Sequence, residues 1–310
     1  MNILAMCNSL NRGLGLPPDL TWPELGRRVW DRIQVDNVFG RAAELAYFFL
    51  FSVFPLLIVL TSLLGLVSGG AEIRGELLRY FRTALPWPAY QLVDTTLEEI
   101  ASTTGGGKLS LGLAVSIASA AAGMVAVIEG LNTAYRVKEG RSWLLRRSVA
   151  ILLTLALALF IIAALAIFLY GNQLGTFVAT HFGFKPLFIT AWRVVQWPLV
   201  FLFVLLALSL TYRFAPNVRE QKLRWILPGA MAAFLLWLVA SLGLRVYLKF
   251  FDTYSTVYGS LGALMILMLW FYLFGIAILV GGELNSILEN AAAQAGNPDA
   301  KLTGEKAPGE

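Results

Sequence analysis

Cysteine, histidine and charge are scarce in this sequence of 310 residues. A single cysteine, Cys7, excludes an intramolecular disulfide and a thiolate cluster, and a single histidine, His181, excludes a His-rich metal motif. Charged residues make up 14% of the chain, whereas soluble domains carry about a quarter. We therefore expect no cofactor and no metal site.

A phosphate-binding loop and a signal peptide are also missing. Gly105, Gly106 and Gly107 lack the Lys-Ser/Thr ending of a P-loop and precede an apolar run, which argues against an ATPase. The first 20 residues have no basic region followed by a long apolar core. We therefore expect no cleavable signal peptide.

Long apolar runs dominate instead, and 58% of the residues are hydrophobic. The run from Leu45 to Val67 follows Arg41 and Glu44 without further charge, and at 1.5 Å per residue it reaches about 35 Å, more than the roughly 30 Å hydrocarbon layer. Pro55 removes a backbone donor near its middle and predicts a helix kink. Similar runs recur along the chain, which disfavours a buried helix of a soluble protein.

The sequence predicts an all-α, polytopic membrane protein with six transmembrane helices in a membrane domain over residues 41–289. The predicted spans cover about 45–67, 109–128, 148–170, 194–212, 226–244 and 257–282. Two amphipathic helices are predicted in the first outer loop, on either side of Pro86-Trp87-Pro88. The small, polar residues of 290–310 predict a disordered cytoplasmic tail.

Residues 1–40 are predicted to form a cytoplasmic arm with an amphipathic helix of its own. Thr21 and Glu24 give a T-x-x-E capping box, with Pro23 in the first turn. Apolar residues then follow at helical spacing: Trp22, Leu25, Val29 and Ile33. Two placements remain open, because such a helix either lies on anionic lipid headgroups or packs on its own protein.

The distribution of Arg and Lys predicts the orientation of the spans. The N-terminal arm together with Arg41 carries five, the connection between the second and third spans five, and the connection between the fourth and fifth spans four. The other connections carry fewer or balance them with acids. By the positive-inside rule, both termini should face the cytoplasm.

The candidate site consists of acids near the predicted cytoplasmic ends of the spans, with polar neighbours. An ionised carboxylate in hydrocarbon costs a few kcal/mol unless it is paired or wetted. The functional interpretation is a cytoplasm-facing cavity that binds a cation, a proton or a polar headgroup, and the alternative is a set of interfacial ion pairs that anchor helix ends. The residues are Glu44, Glu129, Asn132, Arg136, Glu283 and Asn285.

A second candidate lies on the predicted outer side. Arg245 and Lys249 are one helical turn apart, so both are placed to contact a phosphate of an outer-leaflet lipid. Snorkelling of the two cations to the membrane boundary is the alternative explanation.

Four blocks of the sequence carry a family resemblance: RAAELAYFFLFSVFPLLIVL, GLNTAYRVKEGRSWLLRR, YRFAPNVREQKLRWILPGA and FDTYSTVYGSLGALMILMLWFYLFGIAILVGGELNSILE. In this order and spacing they resemble the YihY/BrkB family of bacterial inner-membrane proteins, over about residues 25 to 290. The resemblance implies a six-helix inner-membrane protein. Members of the family carry the labels ribonuclease BN and virulence factor, but the resemblance implies no settled reaction or substrate. Glu44 departs from the family pattern expected near the start of the first span.

The function expected from these observations is that of a transporter or a lipid- or solute-handling protein of unknown substrate, and not an enzyme. A structural or assembly role in the cell envelope is the alternative. A ribonuclease is less supported, because the acids are not grouped with histidines and the cytoplasmic connections are short. The expected partners are the lipid bilayer and anionic headgroups, with no nucleic acid.

The predicted orientation is tested at Cys7. If the N-terminal arm is cytoplasmic, a membrane-impermeant maleimide should leave Cys7 unlabelled in intact cells and label it once the cells are made permeable. As a control, Lys185→Cys in a Cys7→Ser background should be labelled in intact cells, because Lys185 lies in a predicted outer connection. Labelling of Cys7 in intact cells would contradict the orientation.

Overall fold

The computed structural model describes residues 20–66, 109–182, 186–218, 221–250 and 260–304, and a few residues between 75 and 98. In these ranges it contains seven long α-helices and no strand ladder. They are α1 (Trp22–Val35), α2 (Val38–Leu66), α3 (Leu109–Ala134), α4 (Trp143–Phe182), α5 (Pro186–Phe214), α6 (Leu223–Phe250) and α7 (Ser260–Gln294).

The all-α class is confirmed, and in the described ranges four helices are long and apolar enough to cross a membrane. Those stretches are Trp143–Ala164, Val194–Phe214, Leu223–Phe250 and Gly262–Gln294. Helices α2 and α3 contain the first and second predicted spans. The count of six spans remains a prediction, and the two predicted helices of the first outer loop fall largely outside the described residues.

Helix α1 begins where the capping box predicts. The Thr21 side chain accepts a hydrogen bond from the Glu24 backbone N–H at 3.5 Å, whereas the Glu24 carboxylate binds Arg27 and Arg28 rather than reaching back to the cap. One face packs on the protein itself, since Ile33 is buried. Trp22 and Trp30 remain more than half exposed.

Helix α2 runs from Val38 to Leu66, through Pro55, as a single helix. The Ser52 hydroxyl lies one turn before the proline and donates to the carbonyl oxygens of Phe48, at 2.7 Å, and of Ser119 in α3, at 3.2 Å. These hydrogen bonds link α2 to α3 near the proline. The kink itself stays a prediction.

Helix α7 is the element against which most of the bundle packs. It contacts α1, α2, α3 and α6. One buried cluster joins Leu45 of α2, Ile128 and Leu131 of α3, Ile226 of α6 and Leu279 of α7. Lipid tails are as apolar as these side chains, so van der Waals contact within the packed cluster, and not removal from water, holds these helices together.

Glycines bring α6 and α7 into backbone contact. A Cβ atom added to Gly281 would lie 2.3 Å from the Tyr212 hydroxyl oxygen and 2.5 Å from the Gly229 carbonyl oxygen. The Tyr212 hydroxyl also donates to the Ile278 carbonyl oxygen at 2.8 Å. Small residues at such crossings let membrane helices approach closely, and here they leave no room for a methyl group.

The sequence predicts disorder from residue 290 onward. In the structure α7 continues to Gln294 and residues 295–304 turn back onto the bundle, whereas residues 305–310 lie outside the described residues and their disorder stays a prediction. Alanine is the best helix former, and Ala291 packs with Leu288 and Leu20 in a small buried cluster. Composition suggested disorder because it does not register how well small residues pack.

Several connections meet at one end of the bundle. The Asn217 backbone N–H donates to Asn132 Oδ1 at 2.6 Å, which ties the α5–α6 connection to the end of α3. The Gly304 backbone N–H donates to the Tyr135 carbonyl oxygen at 3.2 Å, which adds the C-terminal segment. Helix α1 packs on α7 at this end. The three segments richest in Arg and Lys therefore share one end, as the charge distribution predicts.

The glycine contact predicts an asymmetric effect of alanine substitutions. Gly281→Ala should destabilise the protein by about 1–3 kcal/mol, because the added methyl group overlaps Tyr212 and the Gly229 backbone. Gly243→Ala in α6 is the matched control, because no atom lies within 4 Å of its added Cβ. Thermal unfolding midpoints in detergent measure both. A Gly281→Ala protein as stable as wild type would contradict the close contact.

Candidate functional site

Glu283 is the buried carboxylate of α7. Its side chain is 1% exposed, and Oε2 has no hydrogen-bond partner in the part of the chain that the structure describes. An apolar residue would fill this position without the desolvation cost of a carboxylate. Of the six residues in the first candidate site, Glu283 is therefore the one whose burial a helix-anchoring role explains least.

Charged groups from two other elements face Glu283. The Asp36 carboxyl, at the end of α1, is adjacent, and Arg32 and Arg136 are close enough to interact with it electrostatically. Arg32 and Asp36 form an ion pair at 3.4 Å, and their side chains are 15% and 11% exposed. Two carboxyl groups and two guanidinium groups thus converge where α1 and the end of α3 meet α7. Such a set suits a proton, a small cation or a polar headgroup.

Asn285 lies two residues further along α7 and connects it to α6. Its Oδ1 accepts a hydrogen bond from the Gly229 backbone N–H at 2.7 Å, directly after Pro228 in the α6 interior. The Asn285 side chain is fully buried, and Nδ2 has no partner among the described residues. The amide oxygen therefore has a structural role, and the amide nitrogen lies beside the Tyr135 hydroxyl.

Asn132 organises the connection after α3. Its Nδ2 donates to Glu139 Oε2 at 2.9 Å, and its Oδ1 accepts from the Asn217 backbone. Arg141 completes the arrangement with two hydrogen bonds to the Glu139 carboxylate, at 2.7 and 2.8 Å, and another to the Ala215 carbonyl oxygen. Both parts of the Asn132 amide are occupied, so its observed role is to hold two connections together.

Of the other predicted site residues, Glu129 and Glu44 lie apart from this buried group, whereas Arg136 interacts electrostatically with Glu283 from an exposed position. Glu129 pairs with Arg146 at 2.8 Å and its side chain is 43% exposed, which fits the alternative of an interfacial ion pair. Glu44 is exposed on α2. Arg136 is exposed at the end of α3, with a backbone φ of 55°.

The second candidate site lies in the last two turns of α6. Arg245 and Lys249 are both exposed and remain one helical turn apart. A contact with lipid phosphate stays a prediction there. In the ranges that the structure describes, no group of three or more His, Cys, Asp or Glu side chains is placed to hold a metal ion.

Sequence reasoning missed four buried polar residues near this end: Tyr135, Gln221, Ser286 and Glu289. The signal was present in part, since Glu289 and Ser286 follow Glu283 and Asn285 at helical spacing on α7. Ending the sixth span at residue 282 by hydropathy placed them beyond the last predicted span, although still inside the predicted membrane domain. Tyr135 and Gln221 lie in connections between helices, where polar residues are common and do not indicate a site.

Comparisons with known proteins place these features in a family context. The family model described as Virulence factor BrkB matches residues 29–305. The ribonuclease-like protein YfkH of Bacillus subtilis (strain 168) is 34% identical over 262 residues, which cover 84% of this chain and 94% of YfkH. A UPF0761 membrane protein of Xanthomonas oryzae pv. oryzae (strain PXO99A) is 31% identical over 269 residues, and the match covers 84% of this chain and 60% of that protein. No solved structure matches the chain.

The Glu139 network predicts a pH-dependent stability. Burial raises the pKa of Glu139, but hydrogen bonds from Arg141 and Asn132 lower it more, and the result lies below the ordinary value of 4.5. The stabilisation is therefore complete above that ordinary value and is lost as pH falls through the lower folded value. Glu139→Gln should lower the thermal midpoint at neutral pH, and the difference from wild type should shrink on acidification.

The control for this pH series is Glu44→Gln, since Glu44 is exposed on α2. Its difference from wild type should be small at every pH. If the Glu139→Gln and wild-type midpoints instead run parallel from neutral to acid pH, the network does not stabilise the charged form of Glu139.

Proposed function

This protein belongs to the BrkB family, and from that premise we propose that it binds and moves a polar solute or a lipid headgroup in the bacterial inner membrane. The four apolar helices and the UPF0761 membrane-protein relatives support residence in a membrane. The proposed binding groups are Glu283 and Asn285, with Asp36 beside them.

The burial of Glu283 is the observation that carries this proposal. A charged residue in a transmembrane helix costs about 2.5–3.5 kcal/mol near the bilayer centre on insertion scales, and such residues mark ion and substrate pathways. Glu283 has an unpartnered oxygen in the described part of the chain, and the neighbouring Asn285 has an unpartnered amide nitrogen. A ligand that donates a hydrogen bond would satisfy the Glu283 oxygen, whereas Asn285, two residues further along the helix, faces α6.

The proposed topology has six spans, with both termini in the cytoplasm. The arm, the α3–α4 connection, the α5–α6 connection and the C-terminal segment share one end of the bundle and hold most of the Arg and Lys. The positive-inside rule assigns that end to the cytoplasm. Glu283 lies at this end of α7, so in the proposal the site opens toward the cytoplasm.

Anionic lipid headgroups are the proposed membrane partner of α1. Its outward side carries Trp22 and Trp30, and the Arg27 side chain is 70% exposed. Tryptophan is typical of the membrane interface, and arginine is attracted to anionic headgroups. The helix would then lie between the bundle and the lipid surface.

In this proposal the protein is not an enzyme. The word ribonuclease belongs to the name of YfkH, and the described residues here contain no group of metal-ligating side chains of the kind that a metal nuclease uses. A structural or assembly role in the envelope is the second candidate. The interhelical contact between Asn285 and Gly229 favours it, because that contact stabilises the bundle without needing a ligand.

Liposomes containing the purified protein test the proposal. We expect the protein to accelerate the movement of at least one probe among protons, monovalent ions, small solutes and a fluorescent phospholipid, relative to protein-free liposomes. Glu283→Gln should abolish that movement at equal protein content, because it removes the charge while keeping the size of the side chain. Dye fluorescence and probe counting provide the measurement.

Glu129→Gln is the matched control, since Glu129 is paired with Arg146 and partly exposed. It should retain the movement of the probe, with at most a small loss of stability. Should no probe move, or should Glu283→Gln move it as fast as wild type, the structural role would be favoured. If both variants only lowered protein abundance, the same conclusion would hold.

A further inference from the structure

Residues 297–304, called here the closing segment, fold back onto the start of α6. The Trp225 indole N–H donates to the Asp299 carbonyl oxygen at 3.1 Å, and Arg224 Nη2 donates to Asp299 Oδ2 at 2.7 Å. Lys222 forms a second ion pair with Asp299. These hydrogen bonds from Lys222 and Arg224 hold the pKa of the Asp299 carboxyl below its ordinary value. The Asp299 carboxylate therefore binds this end of the closing segment to the start of α6.

The far end of the closing segment reaches two other elements. The Thr303 backbone N–H donates to Asn290 Oδ1 of α7 at 3.1 Å, and the Gly304 N–H donates to the Tyr135 carbonyl oxygen. Gly304 has a φ of 91°, a conformation that glycine adopts without strain. The segment thus spans from α6 to the end of α3.

A small polar cavity lies beneath the closing segment. The cavity volume is about 10 Å³, which is room for one water molecule. The side chains that matter for its chemistry are those of Tyr135, Gln221, Ser286, Glu289, Lys301 and Thr303. The last two belong to the closing segment, so that segment covers the other four side chains while it is docked.

The lining presents oxygen atoms with unused hydrogen-bonding capacity. Tyr135 Oη, Gln221 Oε1, Ser286 Oγ and Thr303 Oγ1 are buried without a hydrogen-bond partner in the described chain. Tyr135, Gln221 and Ser286 are each at most 4% exposed. Burial raises the pKa of the Tyr135 hydroxyl, so it is neutral at physiological pH and its oxygen is an acceptor.

The charge in the cavity comes from Glu289 and Lys301. Glu289 is 4% exposed and its Oε2 accepts from Gln221 Nε2 at 3.2 Å, which leaves Gln221 Oε1 as an acceptor. The lining therefore contains one carboxylate, one ammonium group and a set of neutral oxygen acceptors. A lysine ammonium offers three N–H donors and no acceptor, which complements this set.

We propose that this cavity is a binding site for a primary ammonium group, that Glu289 supplies its negative charge, and that Lys301 of the closing segment competes for it. A free amine, or the amine of a lipid headgroup, would bind once the closing segment leaves. Lys301 then acts as a built-in occupant that keeps the site closed. The inference concerns Glu289 and Lys301 and stands apart from the proposed role of Glu283.

The composition of the lining favours an ammonium group over other occupants of similar size. Divalent cations prefer several carboxylates, whereas this lining has one. An anion would face the Glu289 carboxylate. A quaternary ammonium has no N–H to donate to the oxygen atoms. Methylammonium satisfies both the charge and the hydrogen bonds.

Thermal unfolding with methylammonium chloride tests the inference, with sodium chloride and tetramethylammonium chloride at equal ionic strength as reference salts. Lys301→Gln should bind methylammonium about tenfold more tightly than wild type, because removing a competing occupant raises the binding-competent fraction. The midpoint should rise at correspondingly lower methylammonium concentration. Lys138→Gln is the charge-matched control, since Lys138 is exposed and outside the cavity lining.

A second measurement reports directly on the closing segment. In a Cys7→Ser background, Thr303→Cys should react with a maleimide faster as methylammonium is added, because ligand binding displaces Lys301 and its neighbours. Adding Glu289→Gln should remove this acceleration. Ser286→Ala should weaken it, which keeps the inference testable if the Glu289 variant folds poorly.

Two outcomes would overturn the inference, and a third measurement separates it from the proposed function. Equal responses to methylammonium, sodium and tetramethylammonium would mean that the cavity holds an ordered water only. A Lys301→Gln protein that responds like wild type would remove Lys301 as the competitor. If Glu283→Gln binds methylammonium as wild type does but no longer moves the probe, the Glu283 transport proposal and the Glu289 ammonium site are both supported, and as separate sites. If no probe moves even with the wild-type protein, the transport proposal fails, and the methylammonium result still tests the ammonium site.

Discussion

The structure depends on one constraint, which is that polar groups in an apolar helix must find their partners inside the protein. Helix α7 meets it in three ways. Its glycines bring the backbone against α6, Asn285 accepts a hydrogen bond from the α6 backbone, and Glu283 interacts with Asp36 and Arg32 of α1. Each polar group on α7 therefore also fixes the position of a neighbouring helix. This is why one helix contacts four others.

The same constraint distinguishes the acids that anchor helix ends through ion pairs from Glu283, which is not fully paired. Glu129 and Glu139 are each matched by an arginine at 2.7–2.8 Å, and both lie where solvent is near. Glu283 is more deeply buried than either, and one of its oxygen atoms has no partner in the described chain. Ion pairing thus accounts for Glu129 and Glu139, but it does not account for the unpartnered oxygen of Glu283. The proposed function rests on that oxygen.

How far the site was predictable depends on the distance between its residues in sequence. Glu283 and Asn285 were identified from the sequence because two polar residues directly after a long apolar run are unusual there. Asp36 and Tyr135 were not, since nothing local distinguishes an acid at the end of an amphipathic helix or a tyrosine in a turn. Glu129 shows the opposite case: its local pattern equals that of Glu283, but Arg146, seventeen residues away, neutralises it.

Hydropathy and the positions of charge determined that this chain is helical, that it carries membrane-length segments and that its cationic connections share one end, because hydrocarbon excludes charge wherever it occurs in the sequence. Tertiary structure alone decided which carboxylates are paired and where α7 ends. It also decided that the last described residues close a polar cavity instead of remaining disordered. Several of those outcomes depend on side chains that are distant in the sequence, as Arg224 and Asp299 are, and no local pattern records such a contact.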